Sequence, residues 1–377
     1  MTALADPALG KLWDALPEAR VVGGAVRDVL ANRPLADIDL ATPLPPEMVV
    51  KVLNATGIKV IPTGLAHGTV TAVVDGRGFE VTTLRRDVET DGRHAVVAFT
   101  ADWQQDAARR DFTINAMSMT RDGTVFDYFD GMADLAAGRV RFVGDPATRI
   151  AEDYLRILRF FRFYARFGRA APEPETIAAL QAGIPGLARL SAERVWHELR
   201  RILAAPDPGE AVRLMDRLGI LAAVLPEAVA VSRLDALPAD SVLRLAAMLT
   251  GDPLALATRL KLSNEDRDRL VRLAAIPPVT GTDADLRRLL ADFSPADLND
   301  RTWLDGDAEV RRRLAGMERP VFPLEGRDVV ALGVPAGPAV GALLRAVRQW
   351  WMEGGCLGDR AACLAELARG ANLPKIM

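Results

Sequence analysis

Two different periods of apolar residues divide the chain. Up to about residue 140, short β-rich runs, Arg20-Val21-Val22, Lys59-Val60-Ile61, Thr69-Val70-Thr71-Ala72-Val73-Val74 and Phe79-Glu80-Val81-Thr82, alternate with turn signals such as Asp75-Gly76 and Asp122-Gly123-Thr124. From Ala147 onward, apolar residues recur every three or four positions. Proline and glycine near Pro172, Pro185, Pro206, Pro208, Pro277, Pro278 and Pro335 break that pattern into many helices. The pattern predicts an α+β fold, a small mixed α/β head followed by an all-α remainder. No fixed repeat period is visible, so a solenoid is unsupported.

Composition narrows this picture. A chain of 377 residues, 50% hydrophobic, can bury a substantial core and by length suggests two or three domains. The opening Met1-Thr2-Ala3-Leu4-Ala5-Asp6-Pro7 lacks a basic stretch followed by an apolar run, and no apolar stretch is long enough to cross a bilayer. The expected compartment is the cytoplasm, with no membrane partner. The two cysteines, Cys356 and Cys363, are too few for a disulfide framework and read as reduced and structural. With only 3 histidines, a zinc site has little to draw on.

The net charge of −3 is not that of a typical nucleic-acid binder, but a global sum hides local stripes. Arginine clusters at Arg109-Arg110, along Arg156, Arg159, Arg162 and Arg166, and at Arg311-Arg312-Arg313. Guanidinium forks suit phosphates and base edges. The last of these runs reads as a solvated face.

The candidate chemistry starts at Asp37-Ile38-Asp39. Side chains two positions apart on an extended strand share a face, so both carboxylates can reach one or two hard cations while Ile38 packs behind them. A solvated turn is the plainer reading. Upstream, Gly23-Gly24 falls between the strand Arg20–Val22 and a helix expected from Ala25 to Ala31. A glycine turn at a helix start lets the backbone approach an anion and supplies free amide donors, and Arg27 one turn in can add positive charge. The Gly-x-Gly-x-x-Gly spacing of dinucleotide sites is absent.

Further candidates lie downstream. Glu80 alternates with Phe79 and Val81, so it faces away from the core and can approach the metals if its strand lies beside that of Asp37 and Asp39. His67 reads as a hydrogen-bonded structural histidine, since hard Mg²⁺ prefers oxygen. In Arg109-Arg110-Asp111, the charges precede the core contacts Phe112, Ile114 and Met117, and Asn115 is expected to cap or brace a turn. A helix expected from near Ile150 carries Asp153, Arg156, Arg159 and Arg162 at steps of three. Each such step slips back by about 60°, so the four cannot grip one small group. Asp153 and Arg156 would be neighbours offering acceptors and donors to the Watson–Crick edge of a base, or else a surface pair worth a few tenths of a kcal/mol. Arg86 to His94, polar and glycine-containing, reads as a mobile loop.

Seven blocks, in order, resemble the bacterial tRNA nucleotidyltransferase and poly(A) polymerase family, in its class II subgroup. They are Gly23 to Asp28 with Asp37 and Asp39; Pro62-Thr63-Gly64 with His67-Gly68-Thr69; Phe79 to Arg85; Arg109 to Ala116; Asp127 to Gly131; Glu152-Asp153-Tyr154-Leu155-Arg156; and Ser191-Ala192-Glu193-Arg194. They span roughly the first half of the chain. The resemblance implies a polymerase-β-like nucleotidyltransferase head over residues 1–140, a helical neck with a base-selecting template over 141–205, and an all-α body and tail over 206–377 that binds tRNA.

The activity the resemblance implies is template-independent addition of CCA to the tRNA 3′ end from CTP and ATP, releasing pyrophosphate. Asp37 and Asp39 would hold two Mg²⁺ ions, with Glu80 as a third catalytic carboxylate. Gly23, Gly24 and Arg27 would hold the triphosphate, Asp153 and Arg156 would read the base, and Arg110, Arg159 and Arg162 would complete the anion pocket. The segment 86–94 looks like the flexible loop of enzymes that switch from CTP to ATP, which favours full CCA addition over A-adding or poly(A) polymerase activity. No His-Asp pair appears, so an appended phosphohydrolase domain is not expected. A non-catalytic RNA-binding scaffold is the alternative from another class, and the intact Asp37 and Asp39 argue against it.

Overall fold

The computed structural model describes residues 6–35, 37–90, 95–228 and 231–371, with the backbone alone of residues 66, 87–90 and 95–97. Contacts divide the chain into two compact units, Met1–Asp235 and Ala236–Met377.

The first unit is built on a mixed sheet. Its strands are β1 (Arg20–Val22), β2 (Asp39–Thr42), β3 (Lys59–Gly64), β4 (Thr69–Val74), β5 (Arg77–Thr83), β6 (Arg85–Thr90), β7 (Ala95–Phe99), β8 (Ser118–Met119) and β9 (Val125–Phe126). Seven of them form one sheet in the order β3-β4-β5-β2-β1-β8-β9, and β6 and β7 form a separate two-stranded ribbon. The β2–β5 pair is parallel and every other pair is antiparallel. The strand period of two decides what is buried. Val70, Ala72 and Val74 from β4 and Phe79 and Val81 from β5 enter the core, joined by Leu9, Leu12 and Trp13 of the helix Pro7–Ala15 and Val49 and Leu53 of the helix Pro46–Ala55.

Two expectations are corrected here. The segment from Arg86 is not a loop throughout: residues 86–90 belong to β6 and pair with β7, while 91–94 lie outside the described residues. Val88, Val96 and Val97 are β-branched, the residue type that favours strands. The single helix expected from near Ile150 is two helices, Pro146–Glu152 and Leu155–Phe167, separated at Asp153, whose backbone is extended at φ −154° and ψ 107°. The break is held from outside the segment. The Tyr154 ring lies so close over Gly186 that a Cβ there would overlap it, and Arg194 pairs with the Asp153 carboxylate at 2.7 Å.

The helix Leu155–Phe167 packs chiefly against the helices Ala192–Leu203 and Gly209–Arg217. Its buried face carries Leu155, Ile157, Leu158, Phe160, Phe161, Phe163 and Phe167. Phe112 lies 4.7 Å from Phe142 and 5.1 Å from Phe163, ring centroid to centroid, so an aromatic cluster fixes this helix to the segment that follows the arginine pair.

The second unit contains nine α-helices among its described residues, from Ser241–Met248 to Arg360–Ala371. Two apolar clusters organise it, one around Leu286, Leu290, Leu298 and Leu314, the other around Leu324, Val329, Val347, Trp351 and Leu367. Cys356 and Cys363 are buried in the second cluster as free thiols. The run Arg311–Arg313 is a paired face: Arg311 stacks on Trp303 at 3.5 Å, Arg312 meets Glu309, and Arg313 meets Asp283 at 2.6 Å. No described helix is long and apolar enough to cross a membrane.

Candidate active site

The parallel β2–β5 pair places Asp39 directly opposite Glu80 in register. Ile38 is buried at 9% exposure while Asp37 and Asp39 on either side are exposed, so the alternation read from Asp37-Ile38-Asp39 holds although β2 begins only at Asp39. Among the described residues, none of the three carboxylates makes a hydrogen bond or ion pair with the protein. Partial desolvation and the charges of Glu80 and Asp37 push the Asp39 carboxyl above its ordinary value, against the pull of Arg110. These carboxylates therefore share one field. They do not form a closed metal cage: no group of three or more His, Cys, Asp or Glu among the described residues is gathered tightly enough to hold an ion.

The glycine turn opens onto the same place. Gly23 has φ 65° and ψ −126° and stands at the N-cap of the helix Gly24–Leu30. That left-handed backbone favours glycine. A Cβ at Gly23 would come within 3.3 Å of an Arg110 Nη, so Arg110 lies directly over the turn while its charge reaches Asp39. Gly23, Asp37, Asp39, Glu80 and Arg110 thus converge.

Arg27 occupies a different position from the one its sequence suggests. Its guanidinium is beside Gly24 but buried, donating to Asn115 Oδ1 at 2.6 Å, paired with Asp28 at 3.0 Å, and set 4.6 Å from the Phe167 ring. Asn115 in turn donates to Asp111 at 3.1 Å, which makes it the turn brace expected. Asp111 also accepts from the Phe112 amide at 2.9 Å and from Arg159. Burial pushes the Asp111 carboxyl up, but Arg159 and the hydrogen bonds from Asn115, Arg159 and the Phe112 amide outweigh it and hold it below its ordinary value.

Arg162 approaches Glu198 at 2.7 Å, though neither atom completes a hydrogen bond in that contact. Burial pushes Arg162 down to about 10, against the charge of Glu198. Arg159 and Arg162 are therefore held by carboxylates of their own.

Asp153 and Arg156 are not paired with each other. Asp153 accepts from Arg194 and from the Leu155 amide at 3.0 Å, and Arg156 is held by Glu152 and by the Arg149 carbonyl at 2.8 Å. His67 is exposed, and it is its carbonyl that is engaged, accepting from Arg85.

One residue escaped the reading of the sequence. Asp106, 4% exposed, accepts from Arg109 Nε at 2.8 Å, Arg110 Nη2 at 3.2 Å and the Arg85 amide at 3.2 Å. It ties Arg110 to the root of the β6–β7 ribbon. Burial raises its carboxyl, but Arg110 and Arg109 hold it below the ordinary value. The signal was the i,i+3 and i,i+4 spacing in Asp106-Ala107-Ala108-Arg109-Arg110.

Known proteins resemble this chain in sequence and fold. Residues 19–141 match the family model described as Poly A polymerase head domain, and residues 171–231 match that described as a probable RNA and SrmB-binding site of polymerase A. The CCA tRNA nucleotidyltransferase 1, mitochondrial, of Danio rerio is 37% identical over 372 residues, covering 89% of this chain and 84% of its own. The chain belongs to the CCA tRNA nucleotidyltransferase family. A CCA-adding enzyme of that family from Lacticaseibacillus paracasei is 32% identical over 92% of this chain and 90% of its own. The crystal structure of the Bacillus stearothermophilus CCA-adding enzyme in complex with CTP superposes with a TM-score of 0.77 at 28% identity, covering 97% of this chain and 98% of that one. The CCA-adding fold is thus present along nearly the whole chain, including the helical half where the sequence offered no motif.

Proposed function

We infer that this protein completes the 3′ end of tRNA by adding C, C and A from CTP and ATP, without a nucleic-acid template. The observation that carries this reading is the convergence, at the inner strands β1, β2 and β5, of the Gly23 turn, Arg110 and the carboxylates Asp37, Asp39 and Glu80, which have no protein partner among the described residues. An anion cradle beside clustered negative charge is a poor site for a neutral ligand and a good one for a nucleoside triphosphate with divalent cations.

The carboxylates fit Mg²⁺ by their chemistry. Such ions take oxygen ligands, use one or two protein carboxylates and complete their shell with phosphate and water. Asp37 and Asp39 would hold the ions, with Glu80 beside Asp39. Bound there, they would supply charge stabilisation to the attacking 3′-hydroxyl and the departing pyrophosphate.

The remaining roles fall to the protein. Backbone amides at the start of the helix Gly24–Leu30 and the Arg110 guanidinium receive the triphosphate and align its α-phosphorus for in-line attack by the RNA 3′-oxygen. A P–O bond to the RNA forms as the bond to pyrophosphate breaks. Arg27 supports the turn from below through Asn115 and Asp28. Asp153, fixed by Arg194, and Arg156, fixed by Glu152, present an acceptor and a donor to the base edge. Arg159 and Arg162 act one step back, setting Asp111 and the helix that carries the template. The neck 141–205 and the helical remainder grip tRNA by shape and backbone, and the expected compartment is the cytoplasm.

The test is direct. Purified protein with Mg²⁺ and tRNA lacking its 3′ end is supplied with CTP and ATP, separately and together, and products are resolved at single-nucleotide length. Two additions with CTP alone and a third on adding ATP, then arrest, is the expected result. Open-ended A addition would instead favour the poly(A) reading.

A further inference from the structure

Arg166, the last of the arginine row, takes no part in the network that holds Arg159 and Arg162. Its carbonyl accepts from Arg33, which with Arg169 walls a separate cleft of about 360 Å³ in the first unit, lined by Leu30, Met132, Leu135 and Phe167. The C-terminal ends of three helices, Gly24–Leu30, Gly131–Ala137 and Leu155–Phe167, meet there.

Helix C-termini leave carbonyls without partners and favour cations. Arg33 Nη2 donates to the Arg166 carbonyl at 2.8 Å, and Arg169 Nη2 donates to the Ala136 carbonyl at 2.9 Å. Arg33 is further held 4.4 Å from the Phe167 ring.

The charge of the cleft is not balanced from within. Among the described residues, Arg33, Arg166 and Arg169 form no ion pair with a carboxylate. The negative charge that Arg33 does feel is that of Asp28, which is already paired with Arg27. Burial and the repulsion of Arg166 and Arg169 hold Arg33 below its ordinary value, so the three cations act on one another. Guanidinium forks fixed by backbone carbonyls over an apolar floor match a multidentate oxyanion.

We propose that this cleft binds a backbone phosphate of the RNA substrate, at a distance from the reacting 3′ end. The 155–167 helix begins next to Asp153 and Arg156 and spans ~20 Å at 1.5 Å per residue, which separates the cleft from the base-reading end. A free phosphate-bearing small molecule would offer the same chemistry, but Arg169 and the neighbouring Arg166 are both exposed, which suits a polymer. The assignment rests on RNA being the substrate.

The experiment uses the full-length protein and the double variant Arg166→Gln, Arg169→Gln, with Arg166→Gln alone as the control for the hydrogen bonds of Arg169 to the 131–137 helix. Melting temperature is recorded for each. Affinity for tRNA lacking CCA is measured across salt concentrations, alongside KM for CTP at saturating tRNA. The double variant should bind tRNA roughly tenfold more weakly at low salt, with a salt slope shallower by about one for each phosphate no longer neutralised. The single variant should lie between, and KM for CTP should stay unchanged. Unaltered tRNA affinity and slope in folded variants would overturn the proposal. Weaker CTP binding with unaltered tRNA binding would also overturn it, by assigning the cleft to a free nucleotide. If the wild type adds no nucleotide yet its RNA affinity depends on these arginines, the catalytic reading fails and the cleft stands.

Discussion

Two charged constellations in the first unit look alike in sequence and differ in structure. On the inner strands of the sheet, Asp37, Asp39 and Glu80 gather with no protein partner among the described residues, and partial burial together with the repulsion of Glu80 and Asp37 pushes Asp39 above its ordinary value. Along the 155–167 helix, Arg159 and Arg162 meet Asp111 and Glu198, and both of those carboxylates are buried. Charges left uncompensated by the fold are available to a ligand, whereas charges paired in the interior hold elements together. The same fold therefore leaves charge open at the proposed catalytic site and engages it with buried carboxylates along the 155–167 helix.

The largest break in this contrast comes from the open side. Asp37→Ala should lower nucleotide incorporation by ~10³, a loss of several kcal/mol of transition-state stabilisation, while affinity for tRNA stays within about twofold. Incorporation rates and tRNA binding measured on the same preparation check it. Near-normal incorporation would mean that the chemistry lies elsewhere.

On the paired side the effect should appear in stability. Glu198→Ala leaves Arg162 without its buried carboxylate while Arg159 keeps Asp111, and stripping one partner from a buried pair costs about 3 kcal/mol, read as a lower midpoint of urea unfolding. An unchanged midpoint would place these arginines among the open charges instead.

Between the two stand the base-reading residues, which are paired yet face a ligand in the proposed mechanism. Asp153→Ala and Arg156→Ala should each reduce discrimination among CTP, ATP, GTP and UTP by ~10-fold, about the value of one base-edge contact. Competition assays with the four nucleotides measure this, and unaltered selectivity would remove them from the template. Smaller still is the effect of Asp106→Asn, which keeps an acceptor for the Arg85 amide but loses the charge that holds Arg109 and Arg110. It should raise KM for CTP severalfold with kcat little changed; a fall in kcat alone would give Asp106 another task.

Much of the open site was legible because its signals are local. A glycine turn between a strand and a helix, and acids alternating with a buried isoleucine, depend on backbone geometry that neighbouring residues set. Glu80 was half legible: alternation fixed its face, but only the β2–β5 pairing puts it opposite Asp39. The paired constellation was hidden because its partners are distant in the chain. Arg27 reads as a charge reaching the triphosphate until Asn115 and Phe167 close over it, and Arg162 as an anion clamp until Glu198 arrives from another helix. The break at Asp153 contains neither proline nor glycine, because its causes, Gly186 under Tyr154 and Arg194 on Asp153, lie more than thirty residues on. The segment after Arg85 looked like a loop because its polar residues outweigh its valines locally, whereas pairing with β7 decides its state.

The most direct measurement takes Asp39→Asn, which preserves shape and removes only charge. A raised carboxyl value in the fold means that stability falls as pH rises from the ordinary aspartate range through the raised one, so the variant should lose that decline. The account predicts that Asp39→Asn abolishes extension of CCA-less tRNA while the metal-free protein melts at the same temperature or higher at neutral pH. Full extension by this variant, or a loss of extension explained by a lower melting temperature, would contradict it.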